Sequence, residues 1–97
     1  MSILAKEVFS FIEIVRSQSV RGAAERLNIS ASALSRQLRL LEEDLGVVLV
    51  IRHSNGVRAT PQGEQLLAHA ERMIALENGL RDEVRTAERK GRVPVVY

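Results

Sequence analysis

The sequence predicts a mainly α-helical fold in which a short β-hairpin separates three helices from a long fourth helix. Apolar residues recur at helical spacing in segments 4–17 and 30–45. Asn55-Gly56, between two β-branched apolar runs, is the strongest short signal for a hairpin. Residues 61–90 then run without a further proline, which predicts one long helix.

The first predicted helix is amphipathic. Its apolar stripe consists of Leu4, Val8, Phe11, Ile12 and Val15. Phe9 lies well off this stripe, which leaves two interpretations. It is either a lone exposed apolar residue or a contact with a second surface, such as the last helix.

Two further helices joined by a tight turn follow. Ser19 is a suitable N-cap for a helix over residues 20–27, whose inward side is formed by Ala23, Ala24 and Leu27. Asn28 can adopt the left-handed conformation that ends a helix, and Ser30 can cap the next one. The connection has the length that a helix-turn-helix requires.

The next helix, over residues 30–45, divides into an apolar and a polar side. Its buried stripe is Leu34, Leu38, Leu41 and Leu45, while serines and arginines project from the other side. Gly46 supplies a glycine C-cap.

Strands at residues 47–51 and 57–60 form a two-stranded wing after these helices. Thr60-Pro61 is an N-cap followed by proline at the first helical position, and the helix it starts runs to about Lys90. The predicted fold is a winged helix-turn-helix over residues 1–60 with a linker helix over 61–90.

The last helix, roughly 45 Å long, cannot be buried entirely by so small a domain. Its apolar positions predict pairing with a second copy, parallel or antiparallel, through Leu66, Ala70, Met73, Ile74, Leu80 and Val84. The alternative is a lone helix resting on its own domain. Residues 91–97 resemble the start of a strand that has no partner in this chain. The tail is either a frayed end or the point where a further domain begins, and we expect the second.

Composition argues against an enzyme, a metalloprotein or a membrane protein. The chain has no cysteine and its two histidines, His53 and His69, have no metal-ligand spacing, so neither metal nor cofactor is expected. Ser32 and Ser35 lack a nearby histidine base for nucleophilic catalysis. No apolar run is long enough to span a membrane and no signal peptide is visible, which predicts a cytoplasmic protein.

The positive charge is concentrated in the middle of the chain. The formal net charge is +2, and residues 1–18 and 61–97 are each balanced, so the excess lies in residues 19–60. Arginine outnumbers lysine twelve to two. The planar arginine fork suits bidentate contacts to phosphate or guanine.

The second helix of the pair has the polarity of a recognition helix. Small side chains and two arginines fill its N-terminal two-thirds, while acidic residues 42–44 crowd the C-terminal end, where phosphates would repel them. We therefore expect residues 30–39 to enter the major groove of DNA.

Roles for the polar residues follow from this orientation. We assign Arg36 and Arg39 to guanine edges or adjacent phosphates, and Arg21 to the DNA backbone. The predicted DNA-binding set is Arg21, Ser30, Ala31, Ser32, Ser35, Arg36, Arg39, Arg52, His53, Ser54, Asn55 and Arg58. Each arginine has a plainer alternative as a solvated side chain, and Arg26 and Arg58 have Glu25 or Glu43 as alternative partners.

Residues 8–64 resemble the N-terminal DNA-binding domain of LysR-type transcriptional regulators. The similarity rests on residues 23–27, Ser30, residues 35–38, residues 41–46, Leu49, Arg52 and residues 60–63, in that order and spacing. It implies a winged helix-turn-helix, a linker helix that pairs two copies, and an effector domain that binds a small molecule and is absent here. It also implies DNA contacts at Ala31, Ser32, Ser35, Arg36 and Arg39, and at residues 52–55 of the wing.

The chain departs from the family pattern at four places. Ala31 and Ser32 stand where glutamine and proline are common, and Val20 and Val50 replace usual phenylalanines. No phosphate-binding group is lost, so the resemblance implies DNA binding without the base preference of relatives.

The predicted partners are double-stranded DNA, as an interrupted inverted repeat, and a second copy of the chain, or a higher oligomer in a full-length protein. The rival hypothesis is an interaction module whose long helix and arginine face bind protein. Salt dependence of DNA affinity separates the two.

Overall fold

The computed structural model describes residues 5–89 as four helices and one two-stranded sheet. The elements are α1 (Lys6–Ser17), α2 (Val20–Leu27), α3 (Ala31–Leu45), β1 (Val50–His53), β2 (Gly56–Ala59) and α4 (Pro61–Arg89). This confirms the predicted winged helix-turn-helix followed by a long helix. Leu4 and the predicted start of a strand at 91–97 lie outside the described residues.

Short polar side chains set the ends of the helix-turn-helix. The Ser19 hydroxyl accepts a hydrogen bond from the Gly22 amide at 2.9 Å, and Ser30 Oγ accepts one from the Ala33 amide at 3.1 Å. Asn28 ends α2 with a left-handed φ of 58°. These three predicted caps are confirmed, and with them the bounds of α2.

The core lies where the first three helices meet the base of the hairpin. Its largest fully buried side chains are Phe11, Ile14, Leu34 and Leu49. Leu27 and Leu45, predicted to face inward, are 37% and 46% exposed. Each is the last residue of its helix, where the chain has reached the edge of the core.

A polar contact sets how α3 lies on α1. Ser10 is buried, and its hydroxyl donates to the side-chain carbonyl oxygen of Gln37. Both groups are neutral, and the hydrogen bond satisfies a polar side chain that the core would otherwise leave unpaired. It favours one rotation of α3 about its axis, and therefore one outward face.

The hairpin forms, but its first strand begins later than the predicted run at 47–51. The Val47 amide donates to the main-chain carbonyl of Glu42 at 3.2 Å, and the Leu49 amide donates to Glu42 Oε2 at 2.7 Å. Because these amides are engaged with the end of α3, the antiparallel ladder starts at Val50, opposite Ala59.

The hairpin also rests on the turn between α1 and α2. The amide of Val57 donates to the main-chain carbonyl of Gln18 at 3.1 Å. Gly56 has a φ of 134°, and a Cβ at this position would collide with the same Gln18 carbonyl oxygen. The wing is therefore held by α3 at its base and by the α1–α2 turn beside its tip.

The long helix α4 is joined to the domain at its N-terminal half. Thr60 Oγ1 donates to the carbonyl of Val48 at 2.6 Å and accepts from the Gly63 amide at 3.0 Å, which confirms Thr60 as the cap. Further along, Arg16 of α1 pairs with Glu71 at 2.8 Å. Phe9 is half-buried and lines one groove near this pair together with Ile74 of α4, which favours the interpretation that it faces a second surface.

Candidate nucleic-acid interface

The outward face of α3 carries Ser32, Arg36 and Arg39. Their spacing of four and three residues places them on one side of the helix, and all three are exposed. Ser30 and Ala31 are exposed at the N-terminal end of this face, where the Ser30 and Ser32 hydroxyl oxygens are 3.2 Å apart. The opposite side holds Leu34, Leu38 and Leu41 in the core.

Ser35 lies beside this face and meets the wing. Arg52 Nη2 donates to Ser35 Oγ at 3.3 Å, across 17 residues of sequence. The serine is half-buried and the arginine is exposed. The structure thus joins two predicted site residues that sequence reasoning assigned to separate elements.

The two arginines of the hairpin lie on opposite faces. The register pairs Arg52 with Val57 and Ile51 with Arg58. Paired residues share a face and neighbouring residues alternate, so Arg52 shares the face of buried Val57, which is turned toward the helices. Arg58 lies on the outer face with Ile51, in a groove that also includes Pro61 and Glu64.

The tip of the wing is polar and exposed. His53, Ser54 and Asn55 all lie at the surface, and the Asn55 amide donates to His53 Nδ1 at 3.2 Å. In that hydrogen bond the imidazole Nδ1 is the acceptor, and the bond lies within the turn. The other ring nitrogen and the Ser54 hydroxyl stay on the exposed surface.

Arg21 and Arg26, on α2, have different surroundings. Arg21 is exposed in the first turn of α2, next to the cap made by Ser19. Arg26 lies 3.8 Å from Glu13 of α1, rather than pairing with Glu25 or Glu43. Because the Arg26 side chain is 72% exposed and the N···O distance is long, the Arg26–Glu13 pair contributes little to stability.

The acidic end of α3 has two kinds of carboxylate. Glu42 accepts the Leu49 amide and so belongs to the junction with the wing. Glu43 and Asp44 are exposed, and Glu43 continues the line of Ser32, Arg36 and Arg39. This arrangement leaves the basic end of the face at the N-terminal two-thirds of α3.

The apolar positions of α4 fall into two groups. Ala70 is buried, and Leu66 and Ile74 pack against the domain core. Met73, Leu80 and Val84 are 43%, 60% and 56% exposed. The six predicted dimerisation residues therefore lie on two adjacent stripes of α4, of which only one is open.

Sequence reasoning missed Leu76, which is 76% exposed on the open stripe. Met73, Leu76, Leu80 and Val84 follow spacings of three and four residues, and they form what we call the open apolar face. The sequence did contain a signal for Leu76, namely its helical spacing. Leu76 lies three residues after Met73 and four before Leu80, which is the spacing of one helical stripe.

Residues 5–89 offer neither a cluster of metal ligands nor a membrane-spanning helix. No group of three or more histidine or acidic side chains in this part of the chain could hold a metal ion. None of the helices described there has the length and hydropathy that crossing a bilayer requires.

These features define a class: a winged helix-turn-helix domain whose recognition helix presents a basic outward face. The family of bacterial regulatory helix-turn-helix proteins described as the lysR family matches residues 6–64. The chain belongs to this family.

Relatives of known name and structure agree with this assignment. The HTH-type transcriptional regulator HdfR of Escherichia coli O139:H28 (strain E24377A / ETEC) is 41% identical over 75 residues, which are 77% of this chain and 27% of the relative. The chain thus spans about a quarter of the length of that regulator.

Two solved structures are similar over most of the chain. The crystal structure of a complex of the CbnR DNA-binding domain with DNA superposes with a TM-score of 0.77 at 34% identity, covering 86% of this chain and 95% of that one. The complex of the BenM DNA-binding domain with benA site 1 DNA gives 0.70 at 32% identity, covering 89% and 93%.

Proposed function

We propose that this chain binds double-stranded DNA sequence-specifically as a dimer and is the DNA-binding part of a bacterial LysR-type transcriptional regulator. The observation that carries the proposal is the exposed face of α3, with Arg36 and Arg39 beside small polar side chains and the wing's Arg52 next to it. Relatives of the same fold are known in complexes with DNA.

The geometry of α3 supports entry into the major groove by its N-terminal end. The groove is wide enough for a helix and displays a different pattern of donors and acceptors for each base pair. Arg36 and Arg39 would reach guanine edges or adjacent phosphates, and Ser32 would bond a base or phosphate. Exposed Ala31 offers a methyl group that suits a thymine methyl.

Backbone contacts would come from the flanks. Arg21 lies at the start of α2, where helix N-terminal amides also favour an anion. On the wing, residues 52–55 and Arg58 would meet phosphates or the minor groove. Because Arg58 is on the outer face of the hairpin, we assign it the more peripheral of these contacts.

The dimer would form through α4, so that residues 1–60 bind DNA and residues 61–90 pair two copies. The open apolar face exposes four large apolar side chains on a helix roughly 43 Å long. A two-fold dimer mirrors its symmetry in the DNA, so the expected target is an interrupted inverted repeat with half-sites spaced by helical turns.

The role in the cell follows from this proposal. The chain would act in the cytoplasm as a regulator rather than an enzyme, with a small-molecule effector binding only through a further domain. A full-length protein would be a homodimer or a higher oligomer of such dimers.

Salt dependence tests the DNA-binding proposal. Each phosphate contact releases counterions, so roughly four or more contacts per dimer should give a slope of about −3.6 or steeper for log affinity against log salt. Affinity for duplex DNA is measured between low and physiological salt. Undetectable or salt-insensitive binding would refute the proposal and favour an interaction module.

A further inference from the structure

The hydrogen bond between Arg52 and Ser35 joins the wing to the recognition helix at the edge of the proposed DNA interface. The backbone around Arg52 is well anchored. Its cross-strand partner Val57 is buried and bonded through its amide to Gln18, and the Leu49 amide ties the start of the hairpin to α3 through Glu42. The guanidinium therefore extends from a fixed hairpin toward α3.

The chemistry of the two groups determines which one donates and which one accepts in this hydrogen bond. A guanidinium only donates hydrogen bonds, so Ser35 Oγ is the acceptor in the 3.3 Å contact. The serine hydroxyl keeps one proton of its own to donate. Arg52 retains further N–H groups, which leaves it able to bind a phosphate at the same time.

We propose that Arg52 is a positioning residue that makes Ser35 a hydrogen-bond donor to an acceptor atom on a base edge. This inference rests on the proposed DNA-binding function. In the major groove the matching acceptors are N7 and O6 of guanine, N7 of adenine and O4 of thymine, whereas the amino groups of cytosine and adenine are donors. Arg52 engages one of the two lone pairs of Ser35 Oγ, and a second donor would have to approach that oxygen beside the positive guanidinium, so Ser35 disfavours an amino group at the place it reads.

The proposal gives the two arginines of the wing, Arg52 and Arg58, different roles in DNA binding. Arg58 lies on the outer face of the hairpin, away from Ser35, so loss of its charge weakens binding to all sequences alike. Loss of Arg52 removes a phosphate contact and also removes the positive charge and the donor beside Ser35 Oγ, so that an amino group can approach this oxygen. Only the second effect changes base preference.

The test compares matched variants on selected DNA. Sequences bound by the 97-residue chain are selected from random duplex DNA, and affinities for all four base pairs at each half-site position are measured for Ser35→Ala, Arg52→Met, Arg52→Lys and Arg58→Met. Ser35→Ala should reduce preference at one position by roughly fivefold, as for one neutral hydrogen bond. Arg52→Met should reduce preference at that same position, and the double variant no further than Ser35→Ala alone.

The controls separate positioning from charge. Arg58→Met should lower affinity by one common factor for all sequences, and Arg52→Lys, which keeps a charged donor, should restore part of the preference. The proposal is overturned if Arg52→Met acts as uniformly as Arg58→Met, if lysine restores nothing, or if Ser35→Ala changes no preference because Ser35 binds phosphate. A wild-type chain that selects no sequence would instead refute the proposed function itself.

Discussion

Serine and threonine hydroxyl groups have two structural roles in this protein: they cap helices, and one of them joins α3 to the wing. Those of Ser19, Ser30 and Thr60 accept main-chain amides at helix starts, and all three were predicted from sequence because a cap depends on residues only a few positions away. The contact of Ser35 with Arg52 was not predicted. It spans 17 residues and exists only because the hairpin docks against α3.

Gly56 is a residue whose replacement should be costly. Its φ of 134° is unfavourable for any residue with a Cβ, and that Cβ would meet the carbonyl oxygen of Gln18, which accepts the Val57 amide. We expect Gly56→Ala to lower the free energy of unfolding by at least about 2 kcal/mol, measured by chemical denaturation.

A second glycine provides the control. Gly79 lies inside α4, and a methyl group added to its Cα would have no neighbouring atom within 4 Å. Gly79→Ala should therefore stabilise the helix by about 0.5–1 kcal/mol. Equal stability of the Gly56→Ala variant and the wild type would mean that the hairpin does not depend on its approach to Gln18.

At the scale of elements, α4 shows where sequence reasoning reached its limit. Its apolar residues were predicted as one dimerisation stripe, but Ala70 and Ile74 pack on the core of the same chain while Leu80 is exposed. Apolar spacing indicates that a helix side is buried, but not whether the same chain or a partner covers it. That distinction depends on how α4 crosses α1, which the Arg16–Glu71 pair helps to set.

The open apolar face gives the element-scale prediction. A charge placed at Leu80 would have to be buried in the proposed interface, twice per dimer. Leu80→Asp should therefore weaken dimerisation by at least about 3 kcal/mol and yield monomers in sedimentation at micromolar concentration.

The control is another exposed apolar residue, at the base of the wing. Val48 is 61% exposed, and its carbonyl accepts from Thr60 at the start of α4, roughly 20 Å along the helix axis from the open apolar face, so Val48→Asp should leave the dimer intact. If the Leu80→Asp variant remained dimeric, the pairing surface would have to lie elsewhere on the chain.

The strands show a second limit. Residues 47–49 have the composition of a strand, yet the amides of Val47 and Leu49 serve the junction with Glu42, a contact that no local pattern reveals. The hairpin was predicted correctly from Asn55-Gly56, but its two turn residues are Ser54 and Asn55, and Gly56 is already the first residue of β2.

In the molecule as a whole, the distribution of charge and the arrangement of the helices both favour DNA binding through α3. The excess positive charge lies in residues 19–60. Arg36 and Arg39 are exposed in the N-terminal two-thirds of α3, while Glu43 and Asp44 are exposed at its C-terminal end. The open apolar face of α4 would pair two such domains. DNA would therefore be recognised by two symmetrically related copies of α3, one from each chain of the dimer.

Selection of bound sequences from random duplex DNA would show whether two copies of α3 recognise DNA together. We predict enrichment of an interrupted inverted repeat whose half-sites are roughly 34–36 Å apart or a multiple of that distance. Enrichment should disappear for an Arg36→Ala, Arg39→Ala double variant that still folds. A pool that stays random, or a wild-type preference that this double variant retains, would refute sequence recognition by α3.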